Sequence, residues 1–136
     1  MFARSIAILI TLCLALFLSA EPTTKPTTQP AAPKVAPAEF EKLAADKSHV
    51  ILDVRTPAEF ARGHIAGAVN IDYRADDFAD KVSELDKDKT YLIYCGSGMR
   101  STGACEKLGK ISFPHLYNLD GGITRWKQEG KKVEKE

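Results

Sequence analysis

Residues 91–101 read Tyr-Leu-Ile-Tyr-Cys-Gly-Ser-Gly-Met-Arg-Ser, and they decide the fold. Tyr91 to Tyr94 form a short apolar run with no polar alternation, as expected of a strand covered on both faces. Cys95 ends the run, two glycines follow within three residues, and a helical stripe carrying Ala104, Cys105 and Leu108 begins near Ser101 and stops at Gly109. A buried strand that passes through a glycine-rich turn into a helix is one unit of an α/β sheet.

The flanking sequence repeats the pattern. Val50-Ile51-Leu52-Asp53-Val54 predicts another covered strand, and Thr56-Pro57-Ala58-Glu59 has the form of a capping box with proline at the first helical position. Gly63 should end that helix. Phe40, Leu43 and Ala44 make a helical stripe after Pro37, and Phe78, Val82 and Leu85 make another. Leu116–Leu119 predicts a further strand, followed by Gly121-Gly122 and a helical turn in which Ile123 and Trp126 face the core. This order predicts a single domain with a central, mostly parallel sheet and helices on both faces. Ligands of such sheets bind beyond the carboxyl ends of the strands. Two places qualify, Asp53–Arg55 and Cys95–Arg100.

The rest of the chain sets boundaries. Residues 1–20 hold one charge, Arg4, and the apolar run Ile6 to Leu18, too short as a helix to cross about 30 Å of hydrocarbon. With Ser19 and Ala20 behind it, the run reads as a signal peptide, and an exported, periplasmic protein is expected. An uncleaved membrane tether is the alternative; after cleavage no stable membrane insertion is expected. Cys13 reads as an apolar residue of that leader. Residues 21–33, with four prolines and four threonines, read as a solvated linker. Residues 34–130 then form the domain, and 131–136 a charged tail.

Composition excludes several classes. The chain of 136 residues is 44% hydrophobic and 27% charged with a formal net charge of +1, so it is neither disordered nor, lacking a basic excess, a nucleic-acid binder. Without residues 1–20 it carries 18 basic and 18 acidic residues. Three cysteines are too few for a disulfide scaffold. His49, His64 and His115 lack metal-ligand spacing, so neither metal nor cofactor is expected.

The chemistry is expected in the loop 95–101. Glycines allow a tight curl whose N–H groups turn inward, and the positive end of the following helix reinforces this anion nest. A thiol there should ionise easily, which makes Cys95 the candidate nucleophile without a histidine base. Gly96, Ser97, Gly98, Met99, Arg100 and Ser101 are the candidate substrate-binding residues, with Arg100 adding a fixed charge. Cys105, on the apolar side of its helix, reads as a buried core residue.

Three segments together, ILDVRTPAEFARGHIAGAVNID (Ile51–Asp72), CGSGMRS (Cys95–Ser101) and DGGITRW (Asp120–Trp126), resemble the rhodanese domain family in order and spacing. The resemblance implies the α/β rhodanese fold and a sulfurtransferase whose loop cysteine, matched by Cys95, carries a persulfide. It implies a small anionic donor such as thiosulfate and cyanide or a thiol as acceptor. Asp53, Arg55, Glu59 and His64 match a first family motif that is chiefly structural. The chain departs from many members at Gly96, where a basic residue is common, which bears on thiosulfate preference. Cysteine-dependent phosphatases space nucleophile and arginine as C-x5-R, whereas Cys95 and Arg100 are spaced C-x4-R. Two alternatives remain at this level: a thiol–disulfide redox protein using Cys95 and Cys105, and a binding module without turnover.

Overall fold

The computed structural model describes residues 30–136. The expected signal peptide at 1–20, Cys13 within it, and positions 21–29 of the expected linker lie outside the described residues. Five strands form one sheet: β1 (Lys34–Val35), β2 (Val50–Asp53), β3 (Val69–Asn70), β4 (Tyr91–Tyr94) and β5 (Leu116–Leu119). Their order across the sheet is β1-β5-β4-β2-β3, and every pairing is parallel. Among the described residues five helices accompany them: α1 (Pro37–Ala44), α2 (Pro57–Arg62), α3 (Phe78–Ser83), α4 (Met99–Lys110) and α5 (Gly122–Gln128).

Side-chain alternation divides the core between the two faces of the sheet. Leu52, Tyr91, Ile93 and Leu116 face one way and pack with Phe78 and Val82 of α3 and Ala104 and Leu108 of α4. Ile51, Leu92, Tyr94 and Leu119 face the other way, against Phe40 of α1 and Ile123 and Trp126 of α5. The four residues of β4 are buried, which explains their unbroken apolar sequence.

From β2 the chain continues to β3 on one side, while β4 pairs on the other, so the carboxyl ends of β2 and β4 open at a topological switch point. Two groups fix the β2 end. Asp53 (0% exposed) accepts from Arg55 (4% exposed) at 2.6 Å, and the guanidinium also donates to the Gly63 carbonyl at 2.7 Å. Thr56 closes the capping box of α2 with Glu59, and Gly63 is its C-cap.

The sequence-based expectations differ from the structure in three places. β1 and β3 were not anticipated; each is two residues long at a sheet edge and half exposed, so neither leaves an apolar run to read. α4 begins at Met99 rather than near Ser101 and extends through Gly109 to Lys110. Residues 131–136 are charged but docked: Trp126 Nε1 donates to the Lys132 carbonyl, Val133 packs on the core, and Glu134 exchanges main-chain hydrogen bonds with His64.

The buried Asp53–Arg55 pair yields a stability prediction. Arg55→Leu leaves Asp53 without its partner away from water, and urea denaturation should show a loss of about 3–5 kcal/mol. A loss below about 1 kcal/mol, the range of an exposed pair, contradicts the structural role assigned here.

Candidate active site

Cys95 follows β4 directly and is buried at the entrance to the loop that leads into α4. The Gly98 N–H donates to Sγ at 3.1 Å, and Ser101 Oγ lies 3.4 Å from Sγ. Gly98 reaches this position with φ of 108°, a left-handed value that disfavours a side chain. Burial pushes the Cys95 thiol up, but hydrogen bonds from the Ser101 side chain and from the main chain of Ser101, Gly98 and Ser97 outweigh it and set the thiol below the usual cysteine range.

The Ser101 hydroxyl donates to the Gly98 carbonyl at 3.1 Å while the thiol donates to Ser101 Oγ. When Sγ ionises, the hydroxyl can turn and donate to it. The Gly98 carbonyl then keeps two other donors, Thr102 Oγ1 at 2.7 Å and Thr102 N–H at 3.1 Å. The site therefore accommodates a change of charge by rotating one hydroxyl.

The loop is held from outside by the turn before α5. Ile123 N–H donates to the Cys95 carbonyl at 2.9 Å and Thr124 N–H to the Gly96 carbonyl at 3.1 Å. With these carbonyls drawn toward α5, the loop amides are free to face the thiol. Gly122, with φ of 61°, makes the approach possible: a Cβ there would lie 2.4 Å from the Gly96 oxygen and 2.6 Å from the Cys95 oxygen. The sequence reading treated Gly121-Gly122 as a turn and missed this role. The glycine pair was the visible signal; its neighbour in space was not.

Arg100 differs from expectation. Its two terminal nitrogens bond the two Glu59 carboxylate oxygens at 2.8 Å each, so its charge is directed at Glu59. That pairing holds the Glu59 carboxyl well below the usual carboxylate range, against the opposing effect of burial and with help from Thr56. Glu59 thus links the capped start of α2 to the start of α4. Gly96 and Ser97 form the loop's tip, and Met99 is 83% exposed at its rim. The groups that favour the ionised Sγ are the Ser101 hydroxyl and main-chain donors of the loop 95–101, and Arg100 is not among them.

Cys105 is buried within α4, and burial pushes its thiol up to about 12. Both Cys95 and Cys105 are free thiols. His64 stacks on Phe60 in the core, with ring centroids 3.8 Å apart. Among the described residues no group of three or more His, Cys, Asp or Glu could hold a metal ion, and no helix is long and apolar enough to cross a membrane.

Comparison with known proteins points to one family. Residues 36–129 match the sequence profile of the rhodanese-like domain. A protein of Allochromatium vinosum named as a sulfurtransferase is 37% identical over 90 residues, covering 66% of this chain and 82% of its own. Thiosulfate sulfurtransferase GlpE of Pseudomonas putida is 32% identical over 94 residues, covering 69% and 84%. The crystal structure of a rhodanese-related protein from Thermoplasma volcanium superposes with a TM-score of 0.68 at 32% identity, over 76% of this chain and 99% of that one.

The contact between the two turns is testable. Gly122→Ala should displace the loop and slow alkylation of Cys95 by iodoacetamide about 100-fold, the effect of an ångström-scale misplacement at a reacting centre. Gly67→Ala is the control, because Gly67 also has positive φ (78°) but a Cβ there meets nothing within 4 Å. Equal alkylation rates in the two variants contradict the role of Gly122.

Proposed function

The chain belongs to the rhodanese-like domain family, and from that premise we propose that it is a sulfurtransferase carrying sulfane sulfur on Cys95. One observation carries the reading: the Gly98 N–H held 3.1 Å from a buried sulfur at the end of β4. Relatives named as sulfurtransferases support the reaction class.

The reaction has two displacements. The Cys95 thiolate attacks the sulfane sulfur of a donor such as thiosulfate; a new S–S bond forms, the donor's S–S bond breaks, and sulfite leaves with the electron pair. Cyanide or a thiolate then attacks the outer sulfur, and Cys95 leaves as thiolate. The negative charge sits on sulfur beside the same N–H donors throughout, so one cradle stabilises thiolate, persulfide and the charge developing between them. Ser101 supports both states through its rotating hydroxyl. No electron is gained or lost by the protein over the cycle, so the chemistry requires no cofactor.

The Glu59–Arg100 pair leaves the loop without a free cation, and Gly96 supplies none. Thiosulfate is therefore bound chiefly by main-chain donors on this reading. The redox alternative is disfavoured by Cys105, since a thiol buried and pushed up to about 12 supplies little thiolate to resolve a disulfide. The apolar run 6–18 supports export, so a periplasmic location is part of this proposal, with an uncleaved membrane tether as its alternative.

Intact-mass measurement after incubation with thiosulfate tests the proposal. Wild type and Cys105→Ala should each gain one sulfur atom and lose it on adding cyanide, while Cys95→Ser gains none. If wild type takes no sulfur from thiosulfate or from any other sulfane donor, the catalytic reading fails.

A further inference from the structure

Residues 131–136, Lys-Lys-Val-Glu-Lys-Glu, carry one apolar side chain among charged ones, yet they make directed contacts with three helices. The family profile matches residues 36–129, so these contacts belong to a segment beyond it.

The first set of contacts seats α5. Lys131 N–H donates to the Trp126 carbonyl at 3.2 Å, and Trp126 Nε1 donates to the Lys132 carbonyl at 2.9 Å. Trp126 is buried, so its N–H depends on that carbonyl for a partner. Seven residues make α5 only about two turns long, and a helix that short moves as one piece. The seat of Trp126 therefore sets the position of Ile123 and Thr124 at the other end. Their N–H groups hold the carbonyls of Cys95 and Gly96.

The second set holds the end of α2. Glu134 and His64 exchange main-chain hydrogen bonds at 2.8 and 2.9 Å, and Glu136 N–H donates to the Ala61 carbonyl at 3.2 Å. Val133 packs over the helix end, where a Cβ on Gly63 would lie 3.4 Å from its Cγ2. α2 carries Glu59, which holds Arg100 at the start of α4. A side-chain bond from Lys131 to Glu41 ties the same segment to α1. One short segment thus touches both elements that hold the Cys95 loop.

We propose that residues 131–136 are a clasp that positions the catalytic loop, joining α5 to α2 so that the Ile123 and Thr124 amides and the Glu59 carboxylate stay at the spacing the loop requires. Its members are positioning residues, since none touches the sulfur. The inference rests on the sulfurtransferase reading for what the loop does, but the geometry it maintains is measurable on the thiol itself. A tail that only added stability would change how much protein is folded and leave Cys95 of the folded protein as it was. A clasp changes Cys95 within the folded state.

The test compares wild type, a chain truncated after Gly130, and Glu134→Pro, which removes the N–H donated to His64 and keeps the rest of the segment. Leu85→Ala, a partly buried residue after α3, is the stability control. All are studied under conditions where each is folded, as urea denaturation establishes. Truncation should raise the pH midpoint of Cys95 alkylation by about one unit. Below both midpoints it should slow the reaction about threefold, because the lost thiolate is partly offset by greater nucleophilicity. Glu134→Pro should move both in the same direction, and hydrogen exchange at the Ile123 and Thr124 amides should quicken in both variants. The control should leave midpoint and exchange unchanged. An unmoved midpoint in the two tail variants, or an equal shift in Leu85→Ala, overturns the clasp. Sulfur loading is read separately: if wild type takes up no sulfur, the sulfurtransferase reading fails, and alkylation still decides whether the tail positions the loop.

Discussion

The site depends on two main-chain carbonyls pointing the right way. Ile123 and Thr124 draw the carbonyls of Cys95 and Gly96 toward α5, and the loop's amides are left to face the sulfur. Only a residue without Cβ fits between them, because Gly122 lies against both carbonyl oxygens. The anion cradle therefore belongs to the contact between two turns as well as to the loop that contains it. The parallel sheet supplies the scale of that contact by placing β4 and β5 side by side, so that the turns following them meet at one end.

This arrangement settles a competition at Cys95. Burial alone would make the thiol a poor acid, as it does at Cys105 a few turns of chain away. Hydrogen bonds from the Ser101 hydroxyl and from directed N–H groups reverse the outcome at Cys95, and they do so without a free cation, since Arg100 is committed to Glu59. A preorganised dipole needs no rearrangement when charge moves from the inner sulfur of a thiolate to the outer sulfur of a persulfide. Two cysteines in one small core thus have opposite chemistry because their hydrogen-bond donors differ.

Much of this was legible in the sequence where the signal is local. β2, β4 and β5 show as apolar runs because both their faces are covered, and the α2 cap shows because Thr56 and Glu59 are three residues apart. The Cys-Gly-Ser-Gly loop shows because glycine has few other reasons to follow a buried strand so closely. What was hidden depends on distance along the chain. Glu59 and Arg100 are 41 residues apart; alone, Glu59 reads as a capping residue and Arg100 as a fixed charge for the anion nest. Gly122 reads as a turn until the Cys95 carbonyl is placed against it. Asn118 reads as a polar residue in a strand until Thr102 is found above it. The edge strands β1 and β3 have too little buried surface to leave any pattern.

The Ser101 hydroxyl and the loop's main-chain donors together set the Cys95 thiol below the usual cysteine range, which lies at about 8.5. A pH titration of thiolate absorbance in wild type, with Cys95→Ser as the blank, measures this directly. Because the folded-state value is depressed, the thiolate fraction of Cys95 should exceed that of a free cysteine at the same pH, and it should be lost as pH falls through that lower midpoint. Cys105 should contribute nothing in this range, being pushed up to about 12. A Cys95 midpoint at or above that of a free cysteine would contradict the account.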